Sequence, residues 1–265
     1  MIRETSVRGQ FYPASCQEID EMIEGFNTLL DEHVEDKVLF ETQARMIIVP
    51  HAGYVYSGFT ANVAHRILAA SNAQRVLVIG PSHRIYVQGA SIALHERYVS
   101  PCGDIEMDKS FAQELKTKHG LIFEEDAHFE HSTETQIPFI KHYLPNAKVA
   151  EIVYGDIDYE RLSVVIKESL ADPQSVVVIS TDLSHFYSLD EANRLDNICL
   201  EAISELDNQK MQEGSCEACG KTGVMAALDA AKKLNLKVKL LDYRTSADVT
   251  KDRDSVVGYM SALFF

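Results

Sequence analysis

Three histidines stand just past short apolar runs: MIIVP leads into His51, VLVIGPS into His83, and VVVISTDLS into His185. An imidazole can ligate a metal or carry a proton near neutral pH. In open α/β sheets ligands gather beyond the carboxyl ends of the strands, where loops from separate strands meet. Three histidines in Gly/Pro/Ser-type turns therefore predict one pocket rather than three unrelated surface residues. The bland alternative for each is a capping or solvated side chain.

A second cluster is Cys216-Glu217-Ala218-Cys219-Gly220-Lys221. A C-x-x-C pair can be a thioredoxin-like redox motif, but that motif sits early in a βαβ unit. As half a zinc ribbon it lacks the second pair that would complete four ligands. Gly220-Lys221-Thr222 imitates the end of a phosphate-binding loop, yet five residues rather than four separate Gly214 from Gly220 and no strand precedes them. A further reading puts Cys219 at the start of a helix over 220–234. There the dipole favours thiolate, and sulfur could join two imidazoles on Fe(II), Zn(II) or copper. An inert buried cysteine is the competing reading.

These side chains need elements to position them. Residues 17–33 carry Ile19, Met22, Ile23, Phe26, Leu29 and Leu30 at helical spacing. Strand-like runs follow at 44–49, 75–79, 149–153, 175–179, 237–241 and 256–264, and helical patterns at 59–71, 109–119, 159–170, 190–206 and 222–234 separate most of them. Continuous apolar strands alternating with helices imply a sheet covered on both faces. The stretch 89–107, broken by 95–97 and 101–103, reads as an antiparallel excursion. The fold class predicted is α/β: a single three-layer α/β/α domain over 1–265 with a mixed, mostly parallel sheet.

Composition narrows the function classes. The chain has 265 residues, 46% hydrophobic and 25% charged, with 40 Asp and Glu against 25 Lys and Arg, a net charge of −15. That balance argues against nucleic acid and against an anionic membrane surface as partners. The apolar runs fall short of the roughly 18 residues that span a bilayer, and the N-terminus lacks the apolar core of a secretory signal. Five unevenly spaced cysteines suggest no disulfide framework. A cytoplasmic protein with reduced thiols is expected, Cys16, Cys102 and Cys199 being structural and Cys216 close enough to Cys219 for a labile crosslink.

Several motifs also occur together in one order. They are RGQFYP at 8–13, VPHAGYVYSG at 49–58, GPSH at 80–83, EHS at 130–132, STDLSH at 180–185, Cys219-Gly220, YRTSAD at 243–248 and VGY at 257–259. In order and spacing they resemble the Memo family, known in bacteria and archaea as AmmeMemoRadiSam system protein B, and they cover nearly the whole chain. Memo proteins are similar to LigB-like class III extradiol dioxygenases. The resemblance implies an α/β fold with a metal pocket at the carboxyl edge of the sheet. Carried over residue by residue, it implies His51, His83 and Cys219 as metal ligands, His185 as acid/base and Asp182 as its partner. It implies Fe(II) as the favoured transition metal, with copper or zinc as alternatives, and a small, aromatic substrate for a dioxygenase-like oxidoreductase. It also implies a radical SAM protein and a further AmmeMemoRadiSam protein as partners. A thiolate in place of the dioxygenases' carboxylate changes the softness and redox behaviour of the site. Dioxygenase activity is therefore not implied by the fold. A non-catalytic module holding a peptide or anion in the same pocket, or a metal-dependent hydrolase, are the alternatives.

Around this core, Ser82, Tyr54, Glu130 and His131 are substrate-binding candidates. Ser82 could instead close its turn, and Tyr54 could pack as an aromatic. Ser132 suits the N-cap of the helix-like TETQIPFIKHY, leaving Glu130 and His131 for the pocket. Asp182 either orients a metal-bound group or caps a following segment. Gly53 and Gly58 suggest tight turns or close backbone approach. His33, His65, His95, His119, His128 and His142 read as ordinary surface or partly packed residues.

Overall fold

Apolar residues alternate between two faces along the central strands, and this determines the layers. The computed structural model describes residues 1–34 and 37–265. Its main sheet runs in the order Val238–Thr245, Val256–Phe264, Met46–Val49, Ser175–Ser180, Arg75–Pro81, Lys148–Tyr154, Ala90–Ile92. The middle four strands are mutually parallel, and antiparallel strands complete both edges. This is the predicted mixed sheet between helices.

On one face Ile48, Leu77, Ile79, Val177, Ile179 and Ile152 pack beneath the helices Tyr159–Ala171, Leu189–Ser204 and Lys221–Leu234. On the other face Ile47, Val49, Val76, Val78, Val176 and Val178 meet Cys16–His33, Tyr54–Leu68 and Ile137–Tyr143. Strand residues one apart in sequence thus fall in different cores, as the two-residue side-chain period of a strand requires. The helix expected over 59–71 begins earlier, at Tyr54. Gly58 lies inside it, where an added Cβ would stand 2.9 Å from the Phe26 ring, so this glycine serves close helix packing rather than a turn. Within 89–107, Ala90–Ile92 pairs antiparallel with Lys148–Tyr154, while Arg97–Tyr98 and Ile105–Glu106 form a small sheet joined by Ile2–Arg3.

The expectation of reduced thiols is overturned: Cys16 is bonded to Cys102 and Cys199 to Cys216, leaving Cys219 free. The partners are 86 and 17 residues apart. Their proximity is made by helix packing and is invisible in the local spacing. Cys216 is therefore spent on Cys199, and the 216–219 crosslink is not the one formed. Among the described residues, no helix is long and apolar enough to cross a membrane.

Candidate metal centre

Met46–Val49, Ser175–Ser180 and Arg75–Pro81 are parallel neighbours, and Val49 lies in register with Ser180. Adjacent strands are about 4.8 Å apart, so side chains one or two positions beyond their carboxyl ends are forced together. His51, Asp182 and His83 each sit two residues past such an end. The rings of His51 and His83 are 5.1 Å apart between centroids.

A third imidazole comes from the other side of His83. Arg75–Pro81 carries Gly80, where a Cβ would stand 2.5 Å from Ser132 Oγ and 3.0 Å from Thr133 Cγ2. That glycine lets the one-turn helix His131–Glu134 press onto the strand. Its N-cap is Glu130, which accepts from the Ser132 amide; the Ser132 hydroxyl, expected to cap, donates instead to the Pro81 carbonyl. The His131 ring thereby reaches 4.6 Å from His83 and 5.4 Å from His51. One ring nitrogen from each of the three lies within 4.8 Å of the others.

The hydrogen bonds determine which nitrogen each ring presents. Glu130 Oε1 faces His83 Nδ1 at 3.2 Å and His131 Nδ1 at 2.8 Å, and Oε2 accepts the His83 amide at 2.6 Å. Burial alone would raise this carboxyl. Hydrogen bonds from His131 and His83 overcome that and hold it well below the usual carboxylate range. An ionised carboxylate only accepts, so both Nδ1 atoms carry a proton, and Nε2 is the nitrogen each ring can offer to a metal. Ser180 does the same for His51. Its hydroxyl donates to the Ser132 carbonyl at 2.5 Å and accepts from Gln136 Nε2 at 3.0 Å, so toward His51 Nδ1, 3.0 Å away, it can only accept. His51 also presents Nε2. Burial pushes the His51 imidazole down to about 4, Asp182 pulling upward against the neighbouring His83 and His131. The ring is therefore neutral at pH 7, the form that binds a metal.

Cys219 arrives from the opposite face. Gly220 packs so tightly on the strand end that a Cβ would stand 2.7 Å from Thr181 Cβ and 2.8 Å from the Ser180 carbonyl oxygen. Its amide donates to Thr181 Oγ1 at 2.8 Å. This approach sets Cys219 Sγ 3.4 Å from His51 Nε2 and 3.2 Å from the Asp182 amide. The thiolate expected from a helix dipole is not what forms. Burial and the Asp182 charge push the thiol up to about 12, outweighing the hydrogen bonds to Sγ. The helix proper starts only at Lys221. Asp182 Oδ1 accepts the His51 amide at 2.7 Å, and Oδ2 lies 3.9 Å from His51 Nε2.

Other candidates are placed differently. Ser82 Oγ donates to the Ile85 carbonyl, closing its turn. Tyr54 is buried in the helix layer, its hydroxyl on the Thr135 carbonyl and its ring stacked 4.5 Å from Phe139. His185 begins the short strand His185–Tyr187 and is half-buried, its ring 5.7 Å from that of Phe186; it is outside the three-imidazole group. Local spacing did not single out Ser180, Gln136 and His65. His65 is buried rather than on the surface, its Nε2 3.1 Å from Gln136 Oε1, and Gln136 hands the bonding on to Ser180. Polar residues inside otherwise apolar segments were the one available signal. His95 and His128 are buried too, His128 between Ser91 Oγ and Glu151 Oε2.

The donor chemistry, three imidazoles and a nearby thiol, fits a borderline-soft transition metal and not Ca²⁺ or Mg²⁺, which take oxygen ligands. A family model of Memo-like proteins matches residues 3–263. The chain belongs to the Memo family. Its relatives include MEMO1 family proteins of Thermoplasma volcanium, 32% identical over 98% of this chain and 97% of theirs, and of Archaeoglobus fulgidus, 32% identical over 99% of each. Another, from Methanococcus maripaludis, is 34% identical over 99% of both chains. As a Memo protein, this chain carries the imidazole group on parts of the fold that the match includes from end to end.

Proposed function

We propose that this Memo protein is a metal-dependent oxidoreductase of dioxygenase-like type, acting on a small aromatic molecule, with Fe(II) the favoured metal and copper or zinc the alternatives. The observation that carries the reading is the convergence of His51, His83 and His131, each with Nδ1 committed, beside Cys219 Sγ. His51, His83 and His131 are the three whose ligand atoms lie within 4.8 Å of one another, and Cys219, with Sγ 3.4 Å from His51 Nε2, is the further donor in this reading. A bound metal would supply redox and Lewis-acid chemistry at its open positions.

The chain's own residues do the rest. Glu130 and Ser180 hold the Nδ1 protons and so aim the three lone pairs. Asp182 fastens the His51 backbone and shares its surroundings with the thiol. In this reading His185, three residues beyond Asp182, is the proton carrier for substrate. Phe11 packs 4.9 Å from the His131 ring, an aromatic neighbour beside the imidazoles. The resemblance to LigB-like enzymes supports this substrate class.

The test is metal analysis of anaerobically purified protein, followed by oxygen uptake with Fe(II) and a phenolic panel. Stoichiometric metal lost in His51→Ala and His83→Ala, together with oxygen uptake, is expected. Comparing His131→Ala with Cys219→Ala assigns the remaining ligand, since only the variant lacking a true donor releases metal. Metal binding without oxygen uptake would reject the oxidoreductase, and absence of metal would reject the centre. The proposed radical SAM partner is tested separately by co-purification.

A further inference from the structure

A donor group separate from the His51 centre lies at another corner of the fold. Cys16 and Asp20 are four residues apart on the helix Cys16–His33, which places both on one face. Cys102 comes from the turn whose Gly103 amide donates to the Ser100 carbonyl. His142 comes from the last turn of Ile137–Tyr143. Three separate elements thus bring two sulfurs and a carboxylate to one place, with an imidazole against that carboxylate. One donor atom each from Cys16, Asp20 and Cys102 lies within 4.8 Å of the others. Asp20 joins the set: Oδ2 is 3.4 Å from Cys16 Sγ, and Oδ1 is 3.0 Å from His142 Nδ1. The Asp20 side chain is 45% exposed and that of His142 27%, so an ion in solvent can reach them.

We propose that Cys16, Cys102, Asp20 and His142 form a zinc site in the dithiol state, of which the Cys16–Cys102 disulfide is the oxidised form. Two thiolates, one carboxylate oxygen and one imidazole nitrogen are a four-coordinate zinc donor set. The disulfide and the zinc site exclude one another, because a sulfur bonded to sulfur is no thiolate ligand. Conversion balances as follows. A dithiol reductant gives two electrons and two protons to the Cys16–Cys102 bond and closes its own disulfide. Zn(II) then displaces both thiol protons to solvent, with no change in its oxidation state. The Cα atoms of Cys16 and Cys102 are 4.7 Å apart. Zn–S bonds of about 2.3 Å in tetrahedral geometry hold two sulfurs about 3.8 Å apart.

The experiment is zinc titration of the full chain against a chromophoric chelator, oxidised and after dithiol reduction, in a His51→Ala/His83→Ala background that silences the first centre. Reduced protein is expected to bind one equivalent more than reduced Cys102→Ser, and oxidised protein to show no such excess. Cys199 and Cys216 are released in both reduced samples, so their contribution cancels. His142→Ala and Asp20→Asn keep the disulfide, so their oxidised forms should melt like the parent, while their reduced forms should bind zinc at least about tenfold more weakly. Equal uptake by reduced parent and reduced Cys102→Ser would overturn the proposal. So would His142→Ala and Asp20→Asn that titrate like the parent.

Discussion

A single proton position on each imidazole decides whether the three rings can share a metal, and Glu130 governs two of them. Glu130→Gln replaces an acceptor of two ring N–H groups and two backbone amides with a side chain that accepts on one atom and donates on the other. Metal affinity is expected to fall about 10- to 100-fold, as for the loss of other groups that orient metal-bound histidines, measured by titration with a chelator. His65 makes a pH prediction through its burial. Its imidazole is pushed down to about 4, below an unfolded value near 6.5. The unfolded state therefore binds more protons than the folded state between these values, and the stability His65 contributes is complete above about pH 6.5 and lost as pH falls toward 4. Metal-free protein should lose about 2 kcal/mol from this residue between pH 7 and 5, read from urea midpoints. The loss should shrink in His65→Gln.

Strand ends and two glycines bring those residues into register. Parallel neighbours align His51, His83 and Asp182, while Gly80 admits the helix of His131 and Gly220 admits the loop of Cys219. Gly220→Ala would force a methyl into the Thr181 side chain and the Ser180 carbonyl. Overpacking of this kind costs about 1–3 kcal/mol, or about 2–4 °C in Tm per kcal/mol for a protein near this size. Thermal unfolding should show that loss. Metal release should follow if Cys219 is a ligand, because its sulfur is carried away from His51. The same elements show what local pattern can and cannot convey. Runs such as VLVIG and VVVIS declare buried strands through composition alone. The short helix at His131–Glu134 has too few residues for periodicity, and its cap went to Glu130 because Ser132 found a better acceptor in Pro81.

Across the molecule, two disulfides tie distant segments of an acidic chain. The Cys199–Cys216 bond closes a loop just ahead of the one that carries Cys219. Cys199→Ser/Cys216→Ser should lower stability by about 2–4 kcal/mol through the freedom returned to the unfolded chain, measured by urea unfolding under non-reducing conditions. The mixed sheet, the major helices, and His51 and His83 beyond strand ends were legible from residue order, because strand and helix periodicities and turn-borne histidines are local properties. The place of His131 among the imidazoles, the protonated state of Cys219 and the pairing of four cysteines were not. Each depends on how far apart remote segments lie after packing and how much water is left around them, and neither quantity is written in the spacing of neighbouring residues.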